Sequence, residues 1–99
     1  MNIQMARFTV KANSVKDFEE AIKGVFSAIQ KRQPKGIRYT LYRLSDGVTY
    51  LGLLELGEGV NNPLPELPEG QKFIESLQHW AAEPPARDQL TAIGLYQCL

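Results

Sequence analysis

The feature that most constrains the fold of this chain is the order in which its hydrophobic period changes. Residues 3–10 have a β-like pattern and residues 15–29 repeat with helical spacing. Residues 37–56 hold two β-like runs around a turn, residues 73–81 repeat helically again, and residues 90–99 return to a β-like pattern. This order, β-α-β-β-α-β, predicts a single α+β domain over residues 1–99. The arrangement is the ferredoxin-like split βαβ, with an antiparallel sheet. A chain of 99 residues suits one domain with a modest core.

The first run, Ile3 to Val10, places Ala6, Phe8 and Val10 on one face and Met5, Arg7 and Thr9 on the other. In the first helix Ser14 is the expected N-cap, with Asp17 completing an acidic capping box. Val15, Phe18, Ile22, Val25, Phe26 and Ile29 share its apolar stripe. Gly24 either leaves room beside a neighbour or pocket, or is simply tolerated. Pro34 and Gly36 are expected to stop the helix. The second helix is expected from Gln71 to Ala82, before Pro84-Pro85, with Phe73, Ile74, Leu77, Trp80 and Ala81 on one face.

Asp46-Gly47 between strand-like runs predicts a two-residue turn pairing Ser45 with Val48. That register sets Tyr42 opposite Leu51, Thr40 opposite Leu53, and Arg38 opposite Glu55, a pair of opposite charge. A three-residue loop with a glycine bulge would instead face Ile37 with Glu55. In the first register one hairpin face carries Arg38, Thr40, Tyr42, Leu51, Leu53 and Glu55. The other carries Ile37, Tyr39, Leu41, Arg43, Tyr50, Gly52, Leu54 and Leu56. Both faces hold large apolar groups, and two helices cover only one. The uncovered face therefore predicts a homodimer packed sheet to sheet.

Residues 57–70 hold three prolines and three glycines, a long stiffened loop. Leu64 and Leu67 suggest that it packs down, as a lid over a pocket, a structural wrap or an arm contacting a second copy.

Charge excludes less than it first suggests. Net charge is zero, so no bulk attraction to nucleic acid or anionic membrane is expected. Residues 1–43 hold nine Lys/Arg and three Asp/Glu, a balance of +6; residues 44–99 hold two and eight, a balance of −6. Strands from the two halves interleave, so solvated helix faces of opposite sign account for this. Cys98 is the lone cysteine, which rules out an internal disulfide and fits a cytoplasmic setting. No signal peptide and no membrane span are expected.

Candidate chemistry is sparse. His79 is the sole histidine and Trp80 the sole tryptophan. Helical spacing places Trp80 on the apolar stripe and His79 nearly opposite its centre. His79 reads as a surface residue, or as a pocket acid/base or haem ligand if something covers that side. Arg43 and Tyr50 face each other on the helix side of the hairpin with Tyr39 nearby, so they are snorkelling side chains or a cluster for an anionic or phenolic ligand. His79, Arg43 and Tyr50 are the expected catalytic residues, with Trp80, Tyr39 and Phe26 contacting substrate. No metal-ligand set, phosphate loop or nucleophile elbow occurs, so no cofactor is expected.

Two segments carry a resemblance: Ser76-Leu77-Gln78-His79-Trp80-Ala81-Ala82-Glu83-Pro84-Pro85 and Asn62-Pro63-Leu64-Pro65. With the element order, they make the chain resemble the dimeric α/β-barrel superfamily over essentially its whole length. The likeness is to the antibiotic biosynthesis monooxygenase type, and closer still to an uncharacterised bacterial branch. The resemblance implies two subunits joining their sheets into a dimeric α/β barrel, with a pocket between helices and sheet in each. It implies cofactor-independent monooxygenation, or binding, of a small aromatic or quinone-like molecule. His79 matches the family histidine by position, with Trp80 and Tyr50 as pocket companions. A non-catalytic ligand-binding or structural homodimer is the alternative, and an isomerase- or cyclase-like enzyme a third reading. A sizeable pocket holding His79, Arg43 or Tyr50 would favour an enzyme; a fully packed layer would favour the alternative.

Overall fold

Six main elements make up the computed structural model, which describes residues 2–98. They are β1 (Asn2–Thr9), α1 (Val15–Arg32), β2 (Ile37–Arg43), β3 (Thr49–Leu56), α2 (Pro68–Trp80) and β4 (Ala86–Leu90). Single 3-10 turns at Ala12–Ser14 and Leu64–Glu66 lead into the two helices. The strands form one antiparallel sheet in the order β2-β3-β1-β4, with β2 and β4 at its edges. This is the expected ferredoxin-like α+β arrangement.

Both helices bury one stripe against the same face of the sheet. Phe18, Ile22 and Val25 of α1 meet Phe73 and Leu77 of α2 over Phe8, Val10 and Tyr50 of the sheet. Phe18 is completely buried, and its ring centroid lies 4.5–6.5 Å from those of Phe8, Tyr50, Phe73 and Trp80. Such tilted and edge-on ring pairs each add stabilisation beyond the area they bury.

Local chemistry departs from expectation at both ends of α1. Ser14 makes no side-chain cap; its backbone N–H donates to the Lys11 carbonyl, because the chain enters the helix through a 3-10 turn. The helix stops at Gln33, which takes a left-handed φ of 50° and donates its N–H to the Ile29 carbonyl, one turn before Gly36. The hairpin keeps the first register: Arg38 faces Glu55, Thr40 faces Leu53, and Tyr42 faces Leu51. Its turn is longer than two residues, however. The last pair is closed by the Leu44 N–H donating to the Thr49 carbonyl, and Gly47 adopts a φ of 78°. The Asp46 carboxylate accepts from the N–H groups of Val48 and Thr49 and from the Thr49 hydroxyl. This satisfies the loop and holds the Asp46 carboxyl below its usual range. The Val48 carbonyl is thereby left to accept the N–H of Val10.

The last strand is the main correction. It runs over Ala86–Leu90 and pairs with β1, and residues 91–98 belong to no strand. Leu99, the end of the expected run, lies outside the described residues. Chain geometry gives the reason. On leaving α2 the Ala82 N–H already donates to the Thr9 carbonyl, and Ala81 bridges Val10, so pairing beside β1 begins at once. The apolar side chains further on, Ile93, Leu95 and Tyr96, are 86–95% exposed. Likewise α2 starts at Pro68, whose missing N–H suits a first helical position, and ends at Trp80.

The sheet face away from the helices carries Ile3, Met5, Thr40, Tyr42, Leu51, Leu53 and Leu90, together with the charged Arg7 and Asp88, none of them buried. Arg38 and Glu55, paired at 3.7 Å, lie at its rim. Among the described residues no helix is long and apolar enough to cross a membrane.

Candidate functional site

A cavity of about 650 Å³ lies between the sheet and the helices. Its size falls within the range of small-molecule sites. The floor comes from the helix-facing rows of the sheet: Tyr39, Leu54, Gln4 and Gln89 in one, and Gly52, Ala6 and Arg87 in the next. Ile22 and Val25 of α1 and Phe73 and Ile74 of α2 form the roof. The proline-rich loop supplies a wall through Asn62, Leu64 and Pro65. That loop packs down: Leu67 is buried, the Asn62 side-chain oxygen accepts the Leu64 N–H, and Gln71 Nε2 donates to the Pro65 carbonyl. Gly70 permits the contact, since a Cβ there would overlap the Leu64 carbonyl oxygen.

The polar groups of this cavity are Gln4, Tyr39, Asn62, Arg87, Asp88 and Gln89. Among the described residues Arg87 has no carboxylate within ion-pair distance. The Tyr39 ring stacks on Phe26, centroids 5.0 Å apart and planes 9° from parallel. Burial pushes the Tyr39 phenol up, and the positive charge of Arg87 pulls the other way. Gln89 donates from its amide to the Asn2 side chain. Asp88 reaches the cavity rim, but strand parity turns its side chain to the open sheet face, and its carboxylate accepts the Gln89 N–H.

A second cleft of about 520 Å³ opens beside it, between α1 and the hairpin. Here Arg43 and Tyr50 converge on Glu19 of α1. The Tyr50 hydroxyl donates to Glu19 Oε2 at 2.6 Å, and Arg43 Nη1 donates to the same oxygen at 2.9 Å. The Tyr50 hydrogen bond, with Arg43 and Lys23 adding to it, holds the Glu19 carboxyl below its usual value. Burial and the neighbouring Glu19 charge push the Tyr50 phenol up to about 12. The cluster is internally satisfied, so it reads first as a tie between α1 and the sheet.

The residues singled out from the sequence thus fall into three places. Tyr39 lines the main cavity, with Phe26 behind it on the second cleft. Arg43 and Tyr50 line the second cleft. His79 is exposed and Trp80 packs on Phe18 and Phe73; neither lines either cavity. His79 is not brought near Arg43 or Tyr50, because it projects from the solvent side of α2. The main cavity's own cation, Arg87, and the Gln89 amide lie ahead of the expected last strand, while Gln4 of β1 is a polar residue on the helix-facing side that hydrophobic periodicity does not single out. Among the described residues no three His, Cys, Asp or Glu side chains gather as a metal site.

No protein-family model matches the sequence, and no curated protein is similar to it in sequence. Its structure is similar to several solved ones. A putative antibiotic biosynthesis monooxygenase from Nitrosomonas europaea aligns with a TM-score of 0.74 at 17% identity, covering 95% of this chain and 100% of the other. A cofactor-independent oxygenase from Streptomyces nogalater gives 0.70 at 18% identity, covering 95% and 94%. A putative antibiotic biosynthesis monooxygenase from Caulobacter crescentus gives 0.71 at 17%, covering 94% and 90%. At these identities the likeness speaks for architecture, and it spans the chain: the protein has the fold of the antibiotic biosynthesis monooxygenases.

Proposed function

We propose that the main cavity binds a small planar aromatic or quinone-like molecule with an acidic oxygen, and that the protein acts on it as a cofactor-independent monooxygenase. The observation that carries this reading is the cavity itself, lined by Phe8, Ile22, Val25, Leu54 and Phe73 together with several polar groups, among them Arg87 and the Tyr39 phenol. Aromatic walls favour a flat ligand, and a guanidinium with no ion pair among the described residues favours an anion on it. In such a reaction an activated CH₂ and dioxygen become a carbonyl and water, the substrate supplying the electrons. The protein's part is to stabilise the substrate anion and exclude water.

The pocket sharpens which groups perform that part. Among the described residues the one carboxylate at the cavity is that of Asp88 at the rim, engaged by the Gln89 N–H, no imidazole lines it, and the raised Tyr39 phenol is a poor base near neutral pH. Proton loss therefore rests on the substrate's own acidity, increased by pairing with Arg87, while Tyr39 donates a hydrogen bond to the developing oxyanion. Arg43 and Tyr50 enter this reading only from the second cleft, and His79 only if another chain covers its side of α2.

The test combines binding and turnover. Calorimetry with a hydroxylated anthrone should show binding that weakens about ten-fold in Arg87→Ala. Oxygen uptake should exceed the spontaneous rate and fall in the same variant. Binding without oxygen uptake would favour the non-catalytic ligand-binding alternative; no binding would remove the pocket reading.

The open sheet face supports a homodimer as the working unit. Its apolar side chains, Ile3, Met5, Tyr42, Leu51 and Leu53, are interrupted by Arg7 and Asp88 and flanked by Arg38 and Glu55, a mixture of apolar and paired charged groups that suits a self-complementary interface.

A further inference from the structure

The helix-facing rows of the sheet are bulky except one. Tyr50 and Phe8 lie side by side in one row, and Leu54 and Gln4 in another. Between them runs Leu41, Gly52, Ala6 and Arg87, one residue from each strand in spatial order. The two central positions carry no side chain or a methyl group. With strands about 4.8 Å apart, this low row makes a trench in the cavity floor, open over Ala6 and filled over Gly52 by the Tyr39 and Leu41 side chains. Arg87 stands at one end. At the other, the Tyr39 hydroxyl reaches over the gap: it lies 3.6 Å from where a Gly52 Cβ would be, and Leu41 Cδ1 lies 3.3 Å from that point. Gly52 has no left-handed φ, so backbone conformation does not demand glycine there. A glycine inside a strand costs stability and often marks the close approach of another group.

We propose that Gly52 and Ala6 are the specificity-determining residues of the cavity. Gly52 seats the Tyr39 hydroxyl over the sheet and Ala6 keeps the floor open from there to Arg87, so together they set the length of ligand the cavity accepts: a flat molecule with an anionic oxygen on Arg87 and a hydroxyl or carbonyl on Tyr39. A single-ring acid reaches one end only and forfeits the other contact. This rests on the ligand-binding reading of the cavity and adds to it a rule of length.

The matching probes are 6-hydroxy-2-naphthoate, whose carboxylate and hydroxyl lie at opposite ends of two fused rings, and 4-hydroxybenzoate, the same pair of groups on one ring. Calorimetric titration of the wild type should give about ten-fold tighter binding of the naphthoate. In Ala6→Val and in Gly52→Ala the naphthoate should weaken several-fold while the benzoate changes little, closing the gap between them. Gly52→Ala is the variant safest for folding, because the tightest contact it creates is with the free end of the Leu41 side chain. Equal wild-type affinity for the two probes would overturn the proposal, as would a preference that survives both substitutions. Failure of the wild type to bind either probe would remove the pocket reading itself, and the proposal with it.

Discussion

Two glycines inside helices should respond to the same substitution with opposite signs. Replacing a helix-interior glycine with alanine gains up to about 1 kcal/mol, from propensity and from a less flexible unfolded chain. Gly24 of α1 is exposed, and a Cβ there meets nothing within 4 Å. Gly24→Ala should therefore keep the whole gain and raise Tm by about 5 °C, on the scale expected for a domain of this length. Gly70 of α2 is buried, and its Cβ would overlap a main-chain oxygen, that of Leu64. That carbonyl is fixed, since it accepts the Leu67 N–H while its own residue's N–H donates to Asn62. Relief requires moving the cavity wall, and such overpacking costs about 1–3 kcal/mol. Gly70 is only the third residue of its helix, so the propensity gain is smaller and the net effect is a loss of about 1–2 kcal/mol. Urea and thermal unfolding of the wild type and both variants would measure this. If Gly70→Ala were as stabilised as Gly24→Ala, the loop would not rest on α2 as described.

Phe18→Ala removes the fully buried ring that touches four others and should cost about 3–5 kcal/mol by denaturant unfolding; a loss below 1 kcal/mol would contradict the packed core. The Tyr50 phenol is raised to about 12. The stability it contributes is therefore complete below its ordinary value near 10 and should drain away as pH rises from 10 to 12, a slope that Tyr50→Phe should reduce. Glu19 is lowered, so its contribution is present above its ordinary value near 4.5 and lost as pH falls further. In Tyr50→Phe the Glu19 carboxyl should titrate higher by NMR; an unchanged titration would show that the phenol does not hold it. Leu53→Glu puts a charge in the middle of the open sheet face and should turn a dimer into a folded monomer by analytical ultracentrifugation; a wild type already monomeric would refute the interface.

How far the sequence was legible depended on which atoms a strand buries. The hairpin register could be read because Asp46-Gly47 centres it and Arg38 and Glu55 match across it. The turn could not, because the Asp46 carboxylate does work that a two-residue turn assigns to backbone. The fourth strand was misplaced because its helix-facing residues, Arg87 and Gln89, line a cavity instead of a core. A strand bordering a ligand space carries polar groups where periodicity seeks apolar ones, while the apolar run after it pairs with nothing. Tyr39 was accessible from face parity alone. The partnership of Arg43 and Tyr50 with Glu19 was not, since it needs the packing of α1 on the hairpin. The small-residue row was hidden for a similar reason: Ala6 and Gly52 become neighbours only once β1 pairs with β3.

Arg87, the cation of the proposed binding cavity, sits on a short edge strand of the sheet. Edge strands with exposed hydrogen bonds open locally at lower cost than the central ones. β4 is five residues long, exposed throughout and paired along one edge only, so each opening carries the cavity's positive charge away from it. If the cavity binds an anion on Arg87 as proposed, such openings would remove the site for part of the time and lower the apparent affinity by that fraction. A ligand anchored on Arg87 closes the seam between β4 and β1 in return, so slowed hydrogen exchange at the β4 amides would report occupancy of the pocket even where no ligand atom touches them.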